Sequence, residues 1–151
     1  MFFDRKITFF ELEVEDRQAA LKLMAESLFA ANLVEASFHQ GILEREEMFP
    51  TGLAAESYGV AIPHTDSDKV IIPQIAFASL KNPVKFRVMG NKSEEIDVSL
   101  IFMLALKKAD EQLTMLQKLM EVFQDSRLLT DFALCKSQNE LERLLDKIGL
   151  N

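Results

Sequence analysis

A chain of 151 residues can bury one self-sufficient core, and its 48% hydrophobic and 27% charged residues argue against both a disordered polymer and a membrane-embedded one. The 17 Lys and Arg face 24 Asp and Glu, a formal net charge of −7 with no basic cluster, which argues against nucleic-acid binding by phosphate neutralisation. The longest apolar run, Leu100 to Leu106, falls far short of the roughly 20 residues that cross a bilayer, so no membrane insertion is expected.

In chain order, Lys6 to Val14 is rich in β-branched and aromatic residues and reads as a strand. Leu21, Met24, Leu28 and Phe29 then recur at helical spacing, with Asp16 as the N-terminal cap. A second helix is expected over Ala36 to Glu47, where Phe38, Ile42 and Leu43 share a face, and Pro50 and Gly52 punctuate its exit. The texture changes between Thr51 and Val98. Val60 to Ile62, Ile75 to Leu80 and Val98 to Leu104 read as strands, the last buried on both faces because it barely alternates. Val84 to Val88 adds an edge hairpin, followed by a turn at Gly90 to Ser93. Beyond Lys108 the chain becomes helical again, with Asp110 as cap and Leu113, Leu116, Leu119, Met120 and Phe123 forming one stripe. A short helix over Leu128 to Ala133 follows. Ser137 to Glu140 then forms a capping box before Leu141, Leu144, Leu145 and Ile148, and Gly149 stops the chain's last helix. Without repeats or linkers, residues 1–151 are expected to form a single α/β domain, with a mixed, mostly parallel central β-sheet flanked by helices on both faces.

Few reactive groups are available. Lone Cys135 has no partner for an internal disulfide and reads as a small apolar group. The opening MFFDRKITFF has no long apolar stretch or small-residue cleavage site, so a cytoplasmic location is expected. Two histidines and one cysteine without ligand spacing give no expectation of a metal, and the absence of a glycine-rich phosphate loop gives none of ATP or another cofactor. His39 lies mid-helix and reads as structural. His64 follows Tyr58-Gly59-Val60-Ala61-Ile62-Pro63, a strand closed by a stiff proline, and opens the polar loop Thr65 to Lys69. That position, at a strand's end, is where open α/β sheets place their chemistry, although many loop histidines are inert. Glu44 to Glu47 reads on its own as the solvated face of a helix.

Leu43-Glu44-Arg45-Glu46-Glu47-Met48-Phe49-Pro50-Thr51-Gly52-Leu53, then Gly59-Val60-Ala61-Ile62-Pro63-His64, resembles the signature of the fructose/mannitol-type (type 2) enzyme IIA domains of the bacterial phosphoenolpyruvate-dependent sugar phosphotransferase system. The downstream order also matches: Lys81-x-Pro83-Val84-x-Phe86, the apolar strand from Val98, and Asp110-Glu111-x-Leu113 at a helix start. The resemblance spans essentially the whole chain. It implies a phosphocarrier in which His64 accepts a phosphoryl group from the carrier protein HPr and hands it to a cysteine of enzyme IIB. The membrane component EIIC then takes part only indirectly. It further implies that the ε2 nitrogen of His64 reacts, that Arg45 stabilises phosphoryl charge, and that Thr51 supports the site.

One position departs from the pattern. Many members have a second histidine where this chain has Gln112, which can donate a hydrogen bond to a phosphoryl oxygen but carries no charge. With Phe49-Pro50-Thr51-Gly52 and Val84-Lys85-Phe86, that substitution is most similar to the galactitol-specific subgroup, so galactitol is the expected substrate. The alternative within the same resemblance is a regulatory IIA-like protein whose phosphorylation state controls binding to a kinase, transporter or transcription factor.

Overall fold

The structure is a computed structural model and describes residues 2–150. Its five strands are β1 (Thr8–Leu12), β2 (Gly52–Ala54), β3 (Gly59–Ala61), β4 (Gln74–Val88) and β5 (Asn91–Ala105). The helices are α1 (Arg17–Ala30), α2 (Phe38–Met48), α3 (Ala109–Phe123), α4 (Ser126–Ala133) and α5 (Gln138–Lys147), and a single 3-10 turn covers Ser67–Lys69. The sheet is mixed. Its β1–β4, β2–β4 and β3–β5 pairings are parallel, whereas β2–β3 and β4–β5 are antiparallel hairpins.

Strand alternation sorts the core into two layers. From β4 and β5, Ile75, Phe77, Leu100, Phe102 and Leu104 point to one face, where they meet Met115, Leu119, Phe123, Leu129, Phe132, Leu141 and Leu145 of α3, α4 and α5. The intervening Ala76, Ala78, Ile101, Met103 and Ala105 point to the other face, against Leu21, Met24, Leu28, Phe38 and Ile42 of α1 and α2. The near-continuous apolar run of β5 therefore reflects burial on both faces, as a strand covered by two helical layers requires. Small residues on the α1 and α2 side admit close helix approach. Large aromatic rings fill the other side, where Phe77 and Phe102 meet edge-on with ring centres 5.2 Å apart.

Three of the expected helix caps form. Asp16 Oδ1 accepts the Ala19 N–H at 2.8 Å, and Ser137 Oγ accepts the Glu140 N–H at 3.2 Å. Glu140 returns the bond to the Lys136 N–H rather than to that of Ser137, a shifted version of the reciprocal box. Gly149 adopts φ +74 at the last helix's exit, the left-handed conformation a stop demands.

Other elements differ from expectation. Val84 to Val88 is no separate hairpin: it continues β4 after a register shift between Ser79 and Val84, and pairs with the outer half of β5. The turn falls at Met89-Gly90, with Asn91 to Ser93 already in β5. At α3 the cap position is Lys108, and Asp110 Oδ1 instead accepts the neighbouring Glu111 N–H. The helix buries Met115, Leu119, Val122 and Phe123, leaving Leu113 and Met120 exposed. The seven apolar side chains from Leu113 to Phe123 span about half of the helix circumference at about 100° per residue, an arc wider than the strip that is buried. Contact of Phe123 with Phe102 at 5.9 Å marks the strip that packing selects.

Candidate functional site

Pairing of β3 with β5 positions the histidine. Gly59, Val60 and Ala61 run parallel to Val98, Leu100 and Ile101, and beyond them His64 forms an isolated bridge to Leu104 while the Leu104 N–H donates to the Pro63 carbonyl at 2.9 Å. The start of β3 depends on glycine: a Cβ at Gly59 would lie 1.9 Å from the Asp97 carbonyl oxygen, inside a backbone that cannot give way. His64 thus sits at the carboxyl ends of two parallel neighbouring strands. The connection from β5 into α3 emerges at the same end and carries Gln112 on the first turns of that helix.

The imidazole is half-buried, and its Nδ1 lies 2.8 Å from the Ile62 carbonyl oxygen. A carbonyl only accepts, so Nδ1 bears the hydrogen, and in the neutral ring Nε2 is left with a free lone pair. Burial pushes the imidazole below its ordinary value of 6.5; the Ile62 bond pulls it back up, and the positive charge of Arg45 adds to the lowering. Burial and Arg45 both favour the neutral imidazole, with its free lone pair on Nε2. We expect NMR titration of its ring to give a midpoint below 6.5. In the window between that midpoint and 6.5 the unfolded chain binds the proton and the folded chain does not, so His64 erodes stability as the pH falls through it. A midpoint at or above 6.5 would contradict the environment described.

Arg45 lies on the last turns of α2. Its Nη1 is 3.6 Å from Asp66 Oδ1, two residues beyond the histidine, and its guanidinium carbon lies 5.1 Å from the centre of the Phe49 ring. Its Nε is buried without a hydrogen-bond partner. With Gly41, Thr65, Asp66 and Lys69 it lines a hollow of about 230 Å³. The loop holding Asp66 is fastened to the entry of α2 by an antiparallel bridge between Val34 and Val70 and by the Glu35 N–H donating to the Lys69 carbonyl at 2.8 Å. Helix and loop therefore bring Arg45 and the residues after His64 together across some 20 positions of sequence.

Lys69 escaped the sequence reading. Its stem crosses α2 at Gly41, where a Cβ would come within 2.8 Å of Lys69 Cδ and 2.7 Å of Thr65 Oγ1. A glycine inside a helix costs about 1 kcal/mol relative to alanine, and that anomaly at Gly41 was the available signal for a close approach. Thr51 does not reach the hollow. It is buried, with its N–H and hydroxyl bound to Glu46, so any support it lends is indirect. Glu46 is correspondingly buried rather than part of a solvated face, its carboxylate turned back onto the Thr51 donors at the exit of α2. The Gln112 side chain forms no hydrogen bond among the described residues. His39 is half-buried within α2, and Cys135 is buried, its thiol pushed up chiefly by that burial.

Fold and site together define a small α/β domain that presents one oriented imidazole within electrostatic reach of a guanidinium. A sequence profile described as "Phosphoenolpyruvate-dependent sugar phosphotransferase system, EIIA 2" matches residues 1–148, and the chain belongs to that family. Transcriptional regulator ManR of Bacillus subtilis (strain 168) is 32% identical over 108 residues, which are 72% of this chain; the chain spans only 15% of ManR. The galactitol-specific EIIA component of Escherichia coli (strain K12) is 28% identical over 102 residues, 68% of this chain and 67% of that protein. The ascorbate-specific EIIA component of the same strain is 27% identical over 139 residues, 91% of this chain and 87% of that protein. Among solved structures, a putative PTS IIA (PtxA) from Streptococcus mutans superposes with a TM-score of 0.81 at 18% identity, covering 97% of this chain and 91% of that one. The Escherichia coli complex of enzyme IIAMTL with phosphorylated enzyme IIBMTL gives 0.76 at 21% identity, covering 93% and 94%. These two likenesses concern the fold. Among the described residues no helix is long and apolar enough to cross a membrane.

Proposed function

We propose that residues 1–151 form one cytoplasmic EIIA domain that relays a phosphoryl group through His64. The lone pair on Nε2 attacks the phosphorus carried by HPr, the bond to the donor's histidine nitrogen breaks, and that nitrogen departs with its electron pair. A thiolate of enzyme IIB then attacks the same phosphorus and the bond to Nε2 breaks. No cofactor or metal enters either step, and EIIC acts only downstream of IIB. Arg45 offsets charge on the transferring oxygens, and Gln112 donates a hydrogen bond to one of them.

The observation that carries this reading is the Nδ1–H bond to Ile62, which leaves Nε2 of the neutral ring unprotonated within electrostatic reach of Arg45 in a chain of this family. Galactitol is the proposed substrate system, supported by the 28% identity to a galactitol-specific component and by glutamine at position 112. The ascorbate-specific relative, at 27% over more of the chain, defines the competing specificity.

The test uses protein phosphorylated by phosphoenolpyruvate, enzyme I and HPr, then offered purified IIB domains of galactitol and ascorbate systems. Faster discharge to the galactitol IIB is expected, and faster discharge to the ascorbate IIB would reassign the substrate. Similarity to ManR favours a second reading, in which phosphorylation of His64 controls a regulatory contact. That reading gains if the phosphorylated protein discharges to neither IIB.

A further inference from the structure

We propose that Glu46 and Thr51 form a positioning pair that holds the guanidinium of Arg45 in place through the exposed ring of Phe49. The inference rests on the phosphoryl-transfer reading above, and neither residue of the pair touches the phosphoryl group. Glu46 is only 6% exposed and forms no salt bridge among the described residues. Its carboxylate instead takes the Thr51 N–H on Oε1 at 2.9 Å and the Thr51 hydroxyl on Oε2 at 2.9 Å. Burial raises its carboxyl above the ordinary range while the two Thr51 bonds act in the opposite sense. A carboxylate in such a place is a poor source of stability, since an apolar side chain of similar size avoids the desolvation. What it secures is a conformation.

The bonded segment is the exit from α2. Within it the Phe49 N–H donates to the Arg45 carbonyl at 2.7 Å, Pro50 and Thr51 are buried, and Phe49, like Met48 before it, turns outward, 58% exposed. A phenylalanine so exposed gains little from burial. Its ring instead lies beneath Arg45, 5.1 Å from the guanidinium carbon. Arg45 has many rotamers, and its ion pair with Asp66 at 3.6 Å is long and solvent-facing. Stacking on a ring whose backbone is clamped by Glu46 and Thr51 narrows those rotamers and, with Nε buried, leaves the half-exposed terminal N–H groups facing an incoming anion.

The test is a single-turnover rate of phosphorylation from HPr, measured in the native and Arg45→Ala backgrounds. Thr51→Val removes the hydroxyl and keeps the backbone donor. It should slow transfer about tenfold with the KM for HPr unchanged, while Thr51→Ser restores the rate. In the Arg45→Ala background Thr51→Val should cost nothing more, because the group it positions is gone. Phe49→Leu, a surface change that tests the platform without touching the core, should behave in the same way. Equal slowing in both backgrounds, or native rates for both variants, would overturn the proposal. If the native protein accepts no phosphoryl group, the functional reading itself has failed. NMR relaxation of the Arg45 Nε–H then still reads the brace: it is ordered in the native protein and mobile in Thr51→Val, and unchanged order would overturn it.

Discussion

His64→Ala is expected to abolish phosphoryl acceptance altogether, whereas His39→Ala accepts as the native protein does. The contrast follows from what surrounds each ring. His64 has one nitrogen tied to the Ile62 carbonyl, so the other is bare, and burial together with Arg45 keeps the ring neutral near pH 7. His39 lies within α2, and its Nε2 is buried, closed to an incoming phosphoryl donor. The loss in His64→Ala is chemical rather than structural: the hydrogen bond given up is worth about 1 kcal/mol. A near-native melting temperature should therefore accompany complete loss of labelling, measured with phosphoenolpyruvate, enzyme I and HPr. Substantial residual labelling in His64→Ala would place the phosphoryl group elsewhere.

The second large effect is expected at Arg45. Removing one charged donor from a transferring group in a partly desolvated site lowers the rate by about 100- to 1,000-fold, so Arg45→Ala should slow acceptance by that order. Its stability should barely change, because the ion pair with Asp66 is long and exposed, and such pairs contribute about 0–1 kcal/mol. Arg45→Lys should recover only part of the rate. An ammonium restores the charge without the planar fork that can stack on Phe49 and present its terminal N–H groups at the same time. Rapid-quench kinetics alongside thermal melts check both halves. A variant that loses stability in proportion to rate would make Arg45 a structural residue.

Much of the fold was legible because the strongest local signals agreed with the packing. The apolar run of β5, the oxygen-bearing caps at Asp16 and Ser137 and the stop at Gly149 each state a local requirement that the tertiary structure keeps. Elements were misread where local chemistry leaves a choice. Three-residue β2 is too short for a period, and the apolar arc of α3 is wider than the strip that packing buries. The length of β4 was hidden by a bulge near Pro83.

The site divides along the same line. Pro63-His64 declares itself, since a stiff strand end delivering a histidine to a polar loop is a local pattern. Bringing Arg45 and Lys69 into one hollow is a long-range result of tying the loop of residues 66–70 to the entry of α2, and no local spacing encodes it. Glu46 was hidden for a different reason: among four charged residues in a row, burial of one depends on the turn that follows, where Thr51 supplies its donors.

Nε2 of His64 should carry the phosphoryl group, and NMR of the phosphorylated, nitrogen-labelled protein reads that atom directly. Phosphorus coupling and ring shifts should identify one phosphoryl group bonded to Nε2 of His64, with Nδ1 still protonated and bonded to the Ile62 carbonyl. A group on Nδ1, on another residue or on none would contradict the account.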